Sequence, residues 1–160
     1  MKIGIIADTH DRMDYIERFV GLFKEKGVKV VLHAGDIVAP FAARPFKEFR
    51  FEAVFGNNCG EKLFLKKVIT DFGGRIEPGP RRLDIAGKSF VLMHEPYELK
   101  AFSSSRIYDF VVYGHTHELK IEEINGIKVI NPGEACGWLS GRATAVVLEP
   151  ETGKIEVLEL

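Results

Sequence analysis

The first part of the chain alternates short apolar runs with segments whose apolar residues recur every three or four positions. The runs at 2–7 and 28–36 are rich in β-branched residues, which is typical of strands buried on both faces. Between them Asp14, with Glu17 three residues later, is expected to cap a helix that ends near Gly27. The apolar stripe of this predicted helix consists of Ile16, Phe19, Val20 and Phe23. A strand, a helix and a second strand in this order predict parallel strands joined by a right-handed crossover.

Two more helices and a third strand follow. Residues 40–49 predict a short helix interrupted at Pro45, and the run 51–55 predicts a strand. The first of these segments carries three phenylalanines that we expect in the core: Phe41, Phe46 and Phe49. Residues 61–72 predict a helix closed by Gly73-Gly74. Its partly buried face is expected to consist of Leu63, Phe64, Lys67 and Val68.

After this helix the pattern changes to mostly strands. Paired runs around Gly87-Lys88, Asn125-Gly126 and 150–153 predict three hairpins. Residues 97–107 predict a helix, and 108–113 predict a buried strand. The fold class is therefore α/β in the first half with an added hairpin-rich second half.

Composition narrows the possible functions. The chain has 160 residues and shows no repeat or linker, so we expect a single domain over residues 1–160. A formal charge of −1 gives no electrostatic case for stable nucleic-acid binding. Cys59 and Cys136 lack the spacing of a disulfide framework or a thiolate zinc site. No apolar run approaches the ~20 residues of a membrane span and no signal-peptide pattern is present, so a cytoplasmic protein is expected.

Candidate chemistry lies where the apolar runs end. Five runs end in side chains that commonly ligate metals, at Asp8-Thr9-His10, Gly35-Asp36, Gly56-Asn57, His94 and Gly114-His115-Thr116-His117. Ligands bind beyond the carboxyl ends of strands in such sheets, so these groups are expected to gather around the carboxylate of Asp36. Residues two apart in extended backbone point to the same side, which would let Asp8 and His10 approach one ion. Imidazole, carboxylate and amide ligands suit Mn, Fe, Ni, Co or Zn.

The number of candidate ligands points to two ions. Seven side chains are too many for one metal, but they divide over two metals if one carboxylate is shared. Paired ions about 3.5–4 Å apart clamp both oxygens of an in-line phosphoryl displacement. The pattern therefore indicates a binuclear site.

Each fragment alone also has an ordinary explanation. Asp8-Thr9-His10 could be a helix-start carboxylate beside a surface histidine, and His115-Thr116-His117 could be a loop with hydrogen-bonded imidazoles. Asp36 could cap the next segment, and Asn57 could supply a left-handed turn residue. The fifth histidine, His33, lies inside a strand, where we expect a buried, hydrogen-bonded group outside the ligand set. Only the joint pattern favours metal binding.

The five motifs, in this order, resemble those of the calcineurin-like metallophosphoesterase superfamily, and the resemblance runs to the turn Asn131-Pro132-Gly133. The length and the Asp-Thr-His opening are similar to its small prokaryotic phosphodiesterases. The resemblance implies two packed mixed β-sheets flanked by helices, in a metallophosphoesterase-like sandwich, and it raises a homodimer. It also implies one metal on Asp8, His10, Asp36 and His117. The second metal would then be held by Asp36, Asn57, His94 and His115.

The function this implies is a metal-dependent phosphodiesterase. A hydroxide bridging two divalent metals would attack phosphorus in line with the leaving oxygen of a small phosphate ester. Manganese is the first candidate, with Ni, Co, Fe or Zn as alternatives. The alternative function is a non-catalytic metal-binding scaffold of the same fold that acts through protein partners, as in a trafficking-coat subunit. All seven ligand positions are intact, which favours the enzyme.

Two residues outside the ligand set are assigned candidate roles. Asn58 is the candidate catalytic residue, at the position after the Gly-Asn pair where the family often has a histidine. Its amide can donate a hydrogen bond to phosphate but cannot deliver a proton to the leaving group. The chain also has Glu95 after the motif histidine, where the family commonly has glycine, so proton donation and pocket shape are expected to differ. Arg12 is the candidate phosphate contact because it lies just past His10.

Overall fold

Eleven strands, three α-helices and one 3₁₀ helix form the fold in the computed structural model, which describes residues 1–160. The first half contains β1 (Lys2–Ile6), α1 (Met13–Glu25), β2 (Val28–His33), the 3₁₀ helix (Pro40–Glu48), β3 (Arg50–Val54) and α2 (Lys62–Asp71). The second half contains β4 (Arg75–Glu77), β5 (Arg81–Ile85), β6 (Lys88–Leu92), α3 (Leu99–Ser104), β7 (Phe110–Val112), β8 (Leu119–Ile124), β9 (Ile127–Pro132), β10 (Thr144–Glu149) and β11 (Lys154–Glu159). No helix is long and apolar enough to cross a membrane.

The strands form two mixed sheets. The first has the order β11-β10-β1-β2-β3-β4, and the second has the order β5-β6-β7-β9-β8. Strands β1 to β4 run parallel to one another, as the strand–helix–strand pattern predicts for β1 and β2, while β10 pairs antiparallel to β1. The carboxyl ends of β1, β2 and β3 therefore lie at one edge of the first sheet.

The two sheets pack face to face, with helices against the outer face of each. Ile3 and Ile5 of β1 point between the sheets and share an apolar cluster with Phe90 and Phe110, whose rings stack at 4.7 Å. The opposite face of the first sheet packs against α1, α2 and the 3₁₀ helix, and α3 covers part of the second sheet. Full burial of each such side chain stabilises the folded state by roughly 1.5–3 kcal/mol. The predicted two-sheet α/β fold is confirmed.

Helix α1 confirms its predicted apolar stripe but not its predicted start. All four stripe residues, Ile16, Phe19, Val20 and Phe23, are buried. The helix begins at Met13 after Arg12, and no side chain caps it, so the capping box of Asp14 and Glu17 is wrong. Asp14 lies within the first turn, where its carboxylate is 3.5 Å from the Arg12 guanidinium. At this position its negative charge also interacts favourably with the positive end of the helix dipole. Gly27 ends the helix with φ +74°.

Helix α2 buries a different face from the predicted one. Leu63 and Phe64 are 90% and 53% exposed, whereas Leu65, Val68 and Ile69 are buried against the 3₁₀ helix and β4. Val68 is therefore buried as predicted, whereas the prediction is wrong for Leu63, Phe64 and the exposed Lys67. The apolar residues of this segment form two stripes one residue apart, and tertiary packing buries the second. Within the 3₁₀ helix, Phe46 is buried as predicted. Phe49, directly after it, is also buried, but Phe41 is 49% exposed.

The second half confirms the hairpins with small shifts. The β5–β6 turn is centred on Ala86-Gly87, one residue before the predicted position, because both of these residues adopt positive φ. Asn125 and Gly126 have φ of +53° and +82°, as the predicted type I′ turn requires. The helix predicted at 97–107 is present but shorter, since only Leu99–Ser104 (α3) is helical. The short strand β4 was not predicted.

Candidate metal centre

The seven side chains predicted as ligands meet at one end of the two sheets. Asp8 and His10 follow β1, Asp36 follows β2, Asn57 follows β3, His94 follows β6, and His115 and His117 follow β7. The carboxylate of Asp36 occupies the middle of the group. Its Oδ2 atom lies 3.5 Å from Nε2 of His10 on one side and 3.5 Å from Nε2 of His94 on the other. One carboxylate thus stands between two sets of ligand atoms.

We call the first set, Asp8, His10 and His117, the His117 cluster. Oδ1 of Asp8 lies 3.5 Å from Nε2 of His117 and 4.0 Å from Nε2 of His10. The two imidazole rings stack with their centroids 5.2 Å apart. One carboxylate oxygen and two ring nitrogens therefore face a common point.

We call the second set, Asn57, His94 and His115, the His94 cluster. Oδ1 of Asn57 lies 2.8 Å from Nε2 of His94 and 3.0 Å from Nδ1 of His115, and the two ring nitrogens are 3.3 Å apart. Asn57 and His115 are exposed, whereas His94 is buried. The His94 cluster therefore opens to solvent.

Five of the seven candidate ligands lie in left-handed backbone, with φ between +39° and +69°: Asp8, His10, Asp36, His115 and His117. Such conformations are uncommon for residues with a side chain, and they concentrate at functional sites. Asp8 and His10 are therefore not neighbours on an extended strand, so the predicted reason for their proximity is wrong although their side chains do approach. Asn57 lies in a turn but does not have a positive φ, so the alternative that it supplies a left-handed turn residue is also wrong.

Glycines before two of the ligands permit close approach of the strands. A Cβ atom on Gly35 would lie 2.4 Å from Nδ1 of His94, and one on Gly56 would lie 2.1 Å from Oδ1 of Asp36. Neither contact is sterically possible. The Gly-Asp and Gly-Asn pairs are thus needed for the strand ends to come together.

Hydrogen bonds on the far side of two rings fix which nitrogen carries the proton. Nδ1 of His94 donates to the carbonyl oxygen of Ala34 at 2.7 Å, and Nδ1 of His117 donates to Oε2 of Glu134 at 2.7 Å. When the rings are neutral, Nε2 carries a lone pair and is an acceptor. Nε2 of His94 faces Asn57 Oδ1, and Nε2 of His117 faces Asp8 Oδ1. Facing acceptors of this kind need a positive charge between them, which either a metal ion or a proton on Nε2 can supply.

Two unpartnered atoms show the same need. Oδ1 of Asp8 and Nε2 of His10 are buried and have no hydrogen-bond partner. An unpaired buried acceptor ordinarily costs about 1–3 kcal/mol. These atoms, together with an oxygen and nitrogen ligand set, fit divalent cations of the kind that bind imidazole and carboxylate.

The clustered charges shift the pKa values of several groups. Burial raises the pKa of Asp8 to about 6, and burial lowers the pKa of His10. Burial would also raise the pKa of Asp36, but hydrogen bonds from His94 and Asn58 outweigh it and hold that pKa well below its usual range. The pKa of His94 is raised because the attraction of Asp36 outweighs the effect of burial. Asp36 is therefore the fixed negative charge of the site.

Two residues near His117 were missed by the sequence reasoning. Glu134 is fully buried, and its carboxylate accepts hydrogen bonds from His117, from the backbone of Leu139, and from Ser140. These bonds outweigh burial and lower the pKa of Glu134 to about 2. The only sequence signal was a carboxylate placed directly after the turn at 131–133.

The second missed residue is Cys136, whose Sγ atom lies within 4.8 Å of ring nitrogens of His10 and His117. A cysteine was not expected at the site, because its sequence spacing matches no thiolate motif. Its thiol donates to Glu134 Oε2 at 3.1 Å, and burial raises its pKa to about 12. It therefore remains a protonated thiol at neutral pH.

Asn58 and Arg12 both make defined contacts. The backbone N–H and the side-chain amide of Asn58 donate to the two oxygens of Asp36 at 2.8 and 2.9 Å. The guanidinium of Arg12 lies 3.4 Å from the centre of the Tyr15 ring and donates to the carbonyl oxygen of Cys136. Asn58 thus orients the central carboxylate, while Arg12 ties α1 to the loop beside the His117 cluster.

His33 is fully buried and lies outside the ligand set, as predicted. Its Nδ1 atom accepts a hydrogen bond from the backbone of Gly35, and its Nε2 atom lies 3.2 Å from the hydroxyl of Thr9. The Thr9 hydroxyl donates to the backbone carbonyl of Asp36 at 3.2 Å. This chain of contacts connects the β1 and β2 loops beneath the candidate metal centre.

A family model described as the calcineurin-like phosphoesterase superfamily domain matches residues 1–153. The chain belongs to this superfamily. It is 37% identical over 156 residues to phosphodiesterase MJ0936 of Methanocaldococcus jannaschii, and the match covers 94% of each chain. The family resemblance inferred from the five motifs is confirmed, and the family implies divalent metal ions.

Solved structures agree with this assignment. The structure of an archaeal phosphodiesterase is 36% identical and superimposes with a TM-score of 0.94 over 100% of both chains. Vps29 of Entamoeba histolytica, in complex with Zn²⁺, has a TM-score of 0.71 at 18% identity, covering 100% of this chain and 98% of that one. The second likeness shows the fold alone.

Proposed function

We propose that this chain is a phosphodiesterase that works with two divalent metal ions. The observation that carries the proposal is the position of Asp36, whose Oδ2 atom is 3.5 Å from a ligand nitrogen of each cluster. A carboxylate so placed is suited to bridging two cations. The relative named as a phosphodiesterase, 37% identical over 94% of the chain, supports this class of reaction.

In this proposal the His117 cluster and Asp36 hold one ion, and the His94 cluster and Asp36 hold the other. When bound, the ions supply the attacking hydroxide and offset the charge that develops on the phosphate oxygens during in-line displacement. Manganese is the first candidate, with Ni, Co, Fe or Zn as alternatives, because the seven proposed ligands are imidazole, carboxylate and amide.

The chain's other residues orient the ligands. Glu134 and the Ala34 carbonyl each hold a proton on Nδ1 of a histidine, so that Nε2 is free to ligate. Asn58 holds Asp36 through two hydrogen bonds and has no proton to give at neutral pH, so the leaving oxygen must be protonated elsewhere. Arg12 stays the proposed phosphate contact, although reaching a substrate requires it to leave Tyr15.

The substrate side of the proposal is a small phosphate ester. Access is through the exposed edge formed by Asn57, Asn58 and His115. A metal-binding scaffold would need the unpartnered acceptors of Asp8 and His10 as much as an enzyme does, so these atoms support a metal site rather than either function. The 37% identity to a protein named as a phosphodiesterase favours the enzyme over this alternative.

Removal and replacement of the metals tests the proposal. The protein is stripped with a chelator, refilled with one metal at a time, and assayed on bis(p-nitrophenyl) phosphate and p-nitrophenyl phosphate. We expect no turnover after stripping, recovery with manganese, and faster hydrolysis of the diester than of the monoester. Full activity after verified removal of metal, or no activity with any metal, would overturn the proposal.

A further inference from the structure

A cavity of about 260 Å³ opens beside the His94 cluster. Its wall includes His94 itself, so a group in the cavity is adjacent to the candidate ligands. This volume is slightly below the roughly 300–1,000 Å³ typical of small-molecule sites. It suits one ring-sized group better than a whole ligand.

The walls of the cavity are mostly apolar. Phe55, Met93 and Phe102 line it, and Tyr97 contributes a ring that is 67% exposed. An exposed aromatic residue next to an apolar cavity is a common platform for a flat ring, because stacked aromatic groups gain more than their buried area alone provides. None of these four side chains is among the candidate metal ligands.

Two carboxylates, Glu95 and Glu98, also line the cavity, and its wall contains no lysine or arginine. An anionic group placed there would be repelled, whereas N–H donors would find acceptors. The ammonium group of Lys62 lies 5.7 Å from the centre of the Phe55 ring and is not part of the cavity wall. The cavity therefore does not suit a second phosphate.

We propose that this cavity binds the uncharged aromatic ring of one ester substituent of the phosphate, either an aryl ring or the base of a nucleoside. The inference rests on the proposed function and adds to it a substrate class, a phosphodiester in which one ester substituent carries a flat, uncharged ring. Tyr97 and Phe102 are the specificity-determining residues, and the two glutamates select against anionic substituents.

The first test compares p-nitrophenyl phosphodiesters that share the leaving group and differ in the second substituent: methyl, phenyl or thymidine 5′. Base stacking on an aromatic residue corresponds to roughly tenfold or more in affinity, so kcat/KM for the phenyl and thymidine esters should exceed that for the methyl ester by at least ~10-fold. A higher kcat/KM for the thymidine ester than for the phenyl ester would indicate that the cavity binds a nucleobase, and a higher value for the phenyl ester would indicate an aryl group.

Variants locate the preference. Tyr97→Ala and Phe102→Ala should each reduce the ratio of phenyl to methyl kcat/KM, and the double variant should bring it close to one. Phe41→Ala removes an exposed aromatic side chain from the 3₁₀ helix and should leave the ratio as it is. An unchanged ratio in the double variant, with wild-type circular dichroism, would overturn the proposal.

The charge of the lining gives a second test. A 4-carboxyphenyl ester should be hydrolysed more slowly than the phenyl ester, and Glu95→Gln with Glu98→Gln should narrow that difference. Equal rates for the two esters in the wild type would contradict the role of the glutamates.

A binding measurement separates this inference from the proposed function. If no diester is hydrolysed, the proposed function fails, but saturation-transfer NMR of thymidine and of phenol with the zinc-loaded protein still examines the cavity. A saturation-transfer signal from thymidine or phenol that is present in the wild type and lost in the Tyr97→Ala, Phe102→Ala double variant supports binding in the cavity. Hydrolysis of all esters at equal rates, or no saturation of either ring, overturns the cavity assignment and leaves the metal proposal standing.

Discussion

The two halves of the candidate metal centre are supported in different ways. In the His117 cluster the far nitrogen of the histidine donates to a buried carboxylate, Glu134, which is held in turn by the loop containing Ser140. In the His94 cluster the corresponding nitrogen donates to a backbone carbonyl, that of Ala34. A carboxylate partner makes an imidazole more basic than a carbonyl partner does. We therefore expect the His117 cluster to bind its metal more tightly and to depend on one side chain for doing so.

Asp36 belongs to both halves, so its replacement should have the largest effect. In Asp36→Asn the neutral amide no longer offsets the charge of two cations, and kcat/KM for a diester should fall by at least ~10³-fold. The fold should persist, since Asn58 and the strand ends remain. Steady-state kinetics with circular dichroism measure this. Retained activity in a well-folded variant would remove Asp36 from the centre of the site.

The leaving group is expected to reveal the absence of an acid at Asn58. General acid catalysis is typically worth ~10²–10⁴ in rate and matters most for basic leaving groups. Alkyl diesters should therefore be hydrolysed far more slowly than nitrophenyl diesters, and Asn58→His should raise kcat mainly for alkyl esters. Esters of graded leaving-group pKa, assayed with both proteins, measure this. A flat dependence in the wild type, with chemistry rate-limiting, would show that another group supplies the proton.

Glu134→Gln tests the difference between the halves directly. Loss of such an orienting partner usually lowers metal affinity by ~10–100-fold, and only the His117 cluster should be affected. The matched control is Ser140→Ala, which removes one hydrogen bond to Glu134 without touching His117 and should have a smaller effect. Calorimetric metal titration resolves the two binding steps. Equal weakening of both steps would mean that the halves are not independently supported.

His33 allows the acid response of the fold to be separated from that of either cluster. Burial lowers its pKa to about 3, so between this value and its unfolded pKa near 6.5 the unfolded chain binds more protons. Stability conferred by neutral His33 is therefore complete above pH 6.5 and is lost as pH falls, by up to ~1.4 kcal/mol per pH unit. Asp8, with its raised pKa, acts in the opposite sense below about pH 6.

Urea unfolding of the metal-free protein at several pH values measures this dependence. The His33→Gln variant should be less stable at pH 7 but should lose less free energy of unfolding between pH 6.5 and 5.5 than the wild type. The difference should be roughly 1 kcal/mol. Parallel pH curves for the two proteins would show that His33 is not the buried neutral group.

Most of the fold could be predicted because strand burial and turn chemistry are local signals. The buried stripe of α1 follows from the spacing of its apolar residues. The turn at Asn125-Gly126 follows from the preference of these two residue types for positive φ. The buried face of α2 could not be predicted, because Leu63 and Phe64 are as apolar as the residues that tertiary packing buries. The three-residue strand β4 is too short for a periodic signal.

The positions of the candidate ligands could be predicted from topology, whereas their support could not. Each ligand follows a strand, and the edge of a parallel sheet brings such residues together. Glu134 and Cys136 follow no such rule, because they reach the site through a loop that returns to β1 by backbone hydrogen bonds from Ala135 and Cys136. The five ligands with left-handed backbone are all Asp or His, which adopt positive φ more often than most residues, but this preference is too weak to predict the conformation from sequence.

Metal content at saturation tests the central claim most directly. Purified protein, saturated with manganese and freed of excess ion, is measured by elemental analysis against protein concentration. We expect close to two ions per chain in the wild type. In Glu134→Gln we expect the affinity of the tighter step, which we assign to the His117 cluster, to fall while the other step is unchanged. One ion or none per chain at saturation in the wild type would contradict the binuclear site.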